Sequence, residues 1–258
     1  LCGSPKLEHG SQTRINLTVE LAQTPEDQNL SLGGEEAPPT SAEGRPLARG
    51  WIHFGAAIVF ALFAPLLFLK SPDASASFVL AIYVFSMESL FVVSALFHRV
   101  RWGERGRRRM RRLDHSTIFL AIAGSNTAVA GLALHGAAEV AILLIVWIGG
   151  AAGVAIRQLW LDAPKWVNAI PYVVLGWSAL LVLPELLTSL GGWGVFWLLA
   201  GGLAYTAGAL CYALQRPNPV PGVFGYHELF HAGTVVGAAC HWVVIYFFAL
   251  DVAIRLHG

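Results

Sequence analysis

Charge is scarce in this chain of 258 residues: Asp, Glu, Lys and Arg make up 13% of it, about half the share of a soluble domain. With 55% hydrophobic residues and a mean hydropathy of +0.59, a soluble globular protein is excluded and a polytopic membrane protein is indicated. Cysteine is also rare, and three of them cannot build a disulfide framework. Cys211 and Cys240 lie in apolar segments, where packing is their expected role, and Cys2 lies in a polar stretch. Three lysines stand against fourteen arginines, a bias that hints at a GC-rich bacterial coding sequence. The net charge of +1 says little, because membrane proteins separate charge by side.

Residues 1–49 lack any apolar run long enough for a signal peptide and are rich in Ser, Thr, Pro, Gly, Glu and Gln. That composition reads as a disordered N-terminal tail. Residues 50–258 read as a membrane domain. Seven apolar stretches occur there, at 51–69, 76–97, 113–134, 138–156, 168–187, 193–214 and 226–250, each near the length of roughly 20 residues that spans a bilayer. The expected fold is all-α, an integral membrane bundle of seven transmembrane helices with short connections, one of them at Gly191 and Gly192.

Basic residues orient such a bundle. Arg45 and Arg49 precede the first span, Arg157 and Lys165 flank the link from the fourth to the fifth, and Arg216 follows the sixth. The link from the second to the third, Arg99 to Arg112, carries eight arginines against Glu104. With seven spans all of these fall on one side, which predicts a cytoplasmic N-terminus and a C-terminus outside. Beside a membrane span the arginine run reads as a topology signal touching anionic headgroups, so no nucleic-acid partner is expected.

This topology gathers the polar residues. His98 ends the second span, Asp114 and His115 open the third, and the motif HELFH, His227 to His231, opens the last, all on the cytoplasmic side. His227 and His231, at i and i+4, share one helix face and can bind one metal; with His98 they read jointly as a metal site. HELFH also fits the HExxH pattern of zinc proteases, with Glu228 as base and Asp114 as a nominal third ligand. That reading leaves His98 unexplained, and Asp114 is followed by His115 rather than the expected Gly. Glu228 then reads as an interfacial acid. His53 reads as a headgroup contact that could border the site, and His115 as facing a neighbour or headgroups. His241, about 15 Å deeper than His231 at helical rise, is too far to be a ligand and reads equally as cavity lining or an interhelical hydrogen bond. His9, His135 and His257 need no function.

The segments SALFH (Ser94 to His98), RLDHSTIF (Arg112 to Phe119) and HELFH with His241 beyond it resemble the SxxxH, Asp and HxxxH signatures of the progestin and adiponectin receptor family. The resemblance is nearest to its hemolysin III branch. RGWIH, PYVVLGW, YTAGALCYALQRPNP and FGYHELFH support it, over roughly Arg45 to Phe248. The run GSNTAVAG, Gly124 to Gly131, departs from the branch's GTYTP-like pattern, and RPLARG departs from the acidic and Asn residues common before the first span.

The resemblance implies a zinc ion near the cytoplasmic end, held by His98, His227 and His231, with Asp114 and Ser94 as catalytic residues near the metal or its water; the Ser94 hydroxyl reads equally as reaching the site or satisfying a backbone carbonyl. Three imidazoles with one open position make the catalytic kind of zinc site, at which bound water becomes acidic enough to attack near pH 7. Asp114 would orient that water and exchange its proton. Relatives that resemble ceramidases imply a zinc-dependent hydrolase of lipid amide or ester bonds acting on a membrane lipid in a bacterial cytoplasmic membrane. Two readings without catalysis stay open, a zinc-stabilised sensor or regulator of membrane lipid state and the cytolysin that the branch's name implies.

Overall fold

The computed structural model describes residues 46–160, Asp162 and 164–257. The tail expected over residues 1–49 lies outside the described residues except for its last four. Among the described residues the fold is all-α, with no strand beyond one isolated bridge between Val220 and Phe224.

Four helices come first: α1 (Trp51–Leu69), α2 (Ala74–Arg99), α3 (Glu104–Ala133) and α4 (Ala137–Leu159). Asp73 caps α2, its carboxylate accepting from the Ala76 N–H at 2.8 Å, so one of the first-turn donors left over by helix geometry is satisfied. Gly136, at φ 63°, makes the turn into α4. The run from Gly124 to Gly131 stays inside α3, which is continuous for 30 residues and has no proline to kink it.

The arginine-rich link is shorter than its composition predicts. α3 begins at Glu104, so Arg105 to Arg112 are helical and only Val100 to Gly103 connect it to α2. Arginine is a good helix former, and Gly106 is the one weak residue in that stretch.

The next stretch combines α5 (Lys165–Gly176), a 3₁₀ segment (Trp177–Val182) and α6 (Leu183–Leu214). Pro184 has no N–H to offer the Leu180 carbonyl, and the helix tightens just before it. Within α6, Gly191 adopts φ 70° and ψ 175° and breaks the helix. The Trp177 indole N–H donates to the Thr206 hydroxyl at 2.9 Å, whereas 29 residues of straight helix would hold them about 43 Å apart. The chain therefore folds back at Gly191, and its two arms lie side by side.

Last come α7 (Tyr226–Val244), a π turn (Ile245–Ala249) and α8 (Leu250–His257). Lys70, just past α1, anchors the π turn by donating to the Tyr246 carbonyl at 2.6 Å and pairing with Asp251 at 2.6 Å.

Among the described residues, six segments are long and apolar enough to cross a membrane: Trp51–Leu69, Ala74–Arg99, Glu104–Ala133, Ala137–Leu159, Ala169–Leu214, at 46 residues, and Tyr226–Leu256. α3 is the most buried of them and runs through a core of Leu80, Met87, Phe91, Val129 and Val244. Large apolar side chains such as Leu62, Phe78, Phe85 and Trp193 are exposed on the outside. Water would not tolerate that surface, but lipid does.

Candidate metal centre

The candidate metal centre begins with how α7 starts. Residues before α1 lie along the loop that precedes α7: Leu47 N–H donates to the Gly222 carbonyl at 3.0 Å and Ala48 N–H to that of Val223 at 3.1 Å. Glu228, in the first turn of α7, accepts from the Gly225 N–H at 2.9 Å and pairs with the Arg49 guanidinium. It is 1% exposed. Glu228 is thus a buried capping and pairing residue rather than an interfacial acid, and both of its oxygens are taken. A protease base needs a carboxylate oxygen facing substrate, so the HExxH reading loses its base.

With α7 anchored, His227 and His231 project one turn apart toward the end of α2. His98, in the last turn of α2, meets them. The ligand atoms of His98, His227 and His231 all lie within 4.8 Å of one another. His98 Nε2 and His227 Nε2 are 3.2 Å apart, close to the roughly 3.3 Å that two nitrogens on one tetrahedral zinc require. The three rings are mutually inclined, with centroids 4.6 to 5.1 Å apart, so their nitrogens converge. Among the described residues, His231 Nδ1 is buried without a hydrogen-bond partner. A donor set of three imidazoles fits zinc and leaves coordination positions open.

Gly50 makes this convergence possible. It sits at φ 81°, and a Cβ there would lie 2.8 Å from His98 Cβ, so the chain leading into α1 passes directly over the α2 histidine. Only glycine meets both demands.

Ser94 and Asp114 are both buried, at 2% and 8% exposure, and the Ser94 side chain lies beside the Asp114 carboxyl. α2 and α3 thus present the two residues expected beside the metal as one pair. Asp114 also anchors its own helix turn, its carbonyl accepting from the Thr117 hydroxyl at 2.8 Å.

A cavity of about 120 Å³ adjoins the centre. Ser94, Asp114, His227 and His231 line one end, and His241 lines the other. Fourteen residues of α7, roughly 21 Å of helix, separate His227 from His241. Ile118, Val129, Leu183 and Leu186 are among the apolar walls between. His98 belongs to the histidine cluster and does not line the cavity.

Three other histidines differ from expectation or extend it. His53, read as a headgroup contact, is 2% exposed, lines the cavity and stacks on His231 with centroids 4.0 Å apart. One turn into α1 from an ordered N-terminal segment, it points inward rather than to the membrane surface. His115 lines the cavity too, and its carbonyl accepts from the Tyr172 hydroxyl at 3.4 Å. His241 combines the two roles left open for it, lining the cavity while its Nε2 lies 3.4 Å from the Leu198 carbonyl.

Comparison with known proteins gives the chain's family. The chain is 28% identical over 184 residues to Hemolysin-3 of Bacillus cereus, covering 71% of this chain and 81% of that protein. It is 26% identical over 171 residues to a Hemolysin-3 homolog of Bacillus subtilis, covering 66% and 77%. A shorter match, 40% over 52 residues, covers 18% of this chain and 16% of an ADIPOR-like receptor of Saccharomyces cerevisiae. A family model described as Haemolysin-III related matches residues 42–242. That region holds every residue of the histidine cluster and of the cavity, and the chain belongs to this family, the hemolysin III branch of the progestin and adiponectin receptor family, as an integral membrane protein.

Proposed function

We propose that the chain is a zinc-dependent hydrolase that cleaves an amide or ester bond of a membrane lipid, resident in a bacterial cytoplasmic membrane. The observation that carries this reading is the meeting of three imidazoles from α2 and α7 with a buried Ser94–Asp114 pair in the wall of a long apolar cavity. The residues that would hold zinc are His98, His227 and His231. Zinc held there supplies a Lewis acid and lowers the pKa of water toward 7.

The chain's own residues then perform the rest. The cavity binds a lipid's acyl chain between α3, α6 and α7 and excludes water from it. Asp114 accepts a proton from the water that attacks the acyl carbon. It returns that proton to the amine or alcohol as the C–N or C–O bond breaks. Ser94 holds the Asp114 carboxyl in place throughout.

Seven crossings accompany this function. The support is the reversal at Gly191, which gives the 46-residue span two arms lying side by side. An odd count puts residue 46 and the C-terminus on opposite sides, and the arginines of the α2–α3 region favour the cytoplasm for the side that holds the centre.

The test is metal content and acyl release from lipid mixtures by the purified protein. Wild type should hold about one zinc per chain and release acyl groups. His231→Ala should lose both, and Asp114→Asn should keep zinc while losing at least about a hundredfold in turnover. Full metal and full hydrolysis in His231→Ala would sink the assignment. Tight zinc with no turnover on any lipid would favour a regulator instead.

A further inference from the structure

The helical start of α3 sorts its arginines by face. At 100° per residue, Arg105, Arg108, Arg109 and Arg112 fall within a 100° arc, at i, i+3, i+4 and i+7. All four are exposed. Arg111 falls about 60° outside that arc and is engaged by Asp162, donating to its carboxylate at 2.9 Å. Arg99, before the link, is also engaged, its guanidinium lying 3.5 Å over the Trp51 ring. Asp114 lies about 180° from Arg105 and is buried, so the exposed stripe faces away from the centre.

The position of the stripe matters as much as its face. Arg112 stands at the foot of the apolar part of α3, and Arg105 roughly 10 Å beyond it along the helix. The field of an anionic membrane surface decays over about 8–10 Å at physiological salt, so the whole stripe lies within its reach. A topology signal needs only a count of basic residues near a span. It does not require four of them in one register on a rigid helix that continues into the bundle.

We infer that Arg105, Arg108, Arg109 and Arg112 form a docking ledge for the phosphate groups of anionic phospholipids in the protein's own membrane. Guanidinium pairs well with phosphate in this setting because its fork of donors meets two oxygens at once. The neighbouring Leu113, 50% exposed, places an apolar side chain beside the ledge, where acyl chains begin. The ledge stands whether or not the metal centre hydrolyses lipid.

The test uses the full chain in nanodiscs containing equal phosphatidylglycerol and phosphatidylcholine, with retained lipid counted by native mass spectrometry. Wild type should retain phosphatidylglycerol in preference to phosphatidylcholine, and high salt should weaken that preference. Replacing all four arginines with Gln should reduce it at least about tenfold. Because that variant also lowers the count that orients the chain, a companion carries Arg108→Met with Met110→Arg, which keeps the count but moves one guanidinium to the opposite face. It should insert as wild type does and retain several-fold less phosphatidylglycerol. The ledge is refuted if wild type shows no preference, if the companion keeps the wild-type preference, or if millimolar inorganic phosphate displaces the lipid completely.

Discussion

The His53 ring lies parallel to that of His231, 9° between planes, and borders Phe91 on its other flank at 5.4 Å. A ring packed flat against a candidate ligand restricts that side chain's torsion before any metal arrives. Outer-shell partners that orient a ligand by hydrogen bonding are worth roughly 10- to 100-fold in metal affinity, and that range is the upper bound for a stacked ring. His53→Ala should therefore weaken zinc binding by a factor within that bound, measured by competition with a chromophoric chelator. His53→Phe keeps a flat ring in the stack and should remain within a few-fold of wild type. An unchanged affinity in His53→Ala would mean that His231 is held by its own helix alone. The role of His53 was invisible in the sequence because one histidine near the start of an apolar helix has no spacing partner. Its contact lies 178 positions away, on α7. His98, by contrast, was legible, since Ser94, His98 and the HxxxH pair all fall at the same end of predicted spans.

The start of α7 shows how an element can carry a catalytic motif without using all of it. HELFH supplies two candidate ligands and, between them, a carboxylate that caps the helix and binds Arg49. Glu228→Gln keeps an oxygen for the Gly225 N–H but removes the charge that answers Arg49. The expected cost is about 1.5–3 kcal/mol, read as a fall of several degrees in the melting temperature of the detergent-solubilised protein, with zinc content unchanged. If stability held while turnover vanished, Glu228 would be a catalytic base and the protease chemistry would return. The helices themselves were largely legible. α1, α2 and α4 begin and end within a few residues of their apolar runs, and the Gly191 reversal falls where two glycines interrupt one. The helical start of α3 was not, because hydropathy marks where a helix meets lipid and not where it ends. The Arg49–Glu228 pair was hidden as well, since a tail's composition gave no sign that its last residues are bonded to the loop before α7.

Taken as a whole, the molecule puts its chemistry at one end. His98 and His227 lie at the ends of α2 and α7, and Asp114 lies just past the arginine-bearing start of α3, on the side that also holds Arg49, while Lys70 and Asp251 close the opposite end. If the arginine-bearing end is cytoplasmic, as the distribution of basic residues favours, metal reaches the centre from the cytoplasm. The apolar walls and the His241 end of the cavity offer a charged chelator no path from the other side, because a multivalent anion cannot cross apolar helix packing. A membrane-impermeant chelator should therefore strip zinc from inside-out vesicles over minutes to hours. In right-side-out vesicles of the same protein, zinc should be retained over that time. The measurement is zinc remaining with the protein after the vesicles are washed, with a permeant chelator as the positive control. Loss of zinc from right-side-out vesicles alone would invert the orientation. Equal loss from both would mean that the cavity opens through the bundle, in which case water would reach Asp114 from two sides and the sheltered hydrolysis proposed for it would fail.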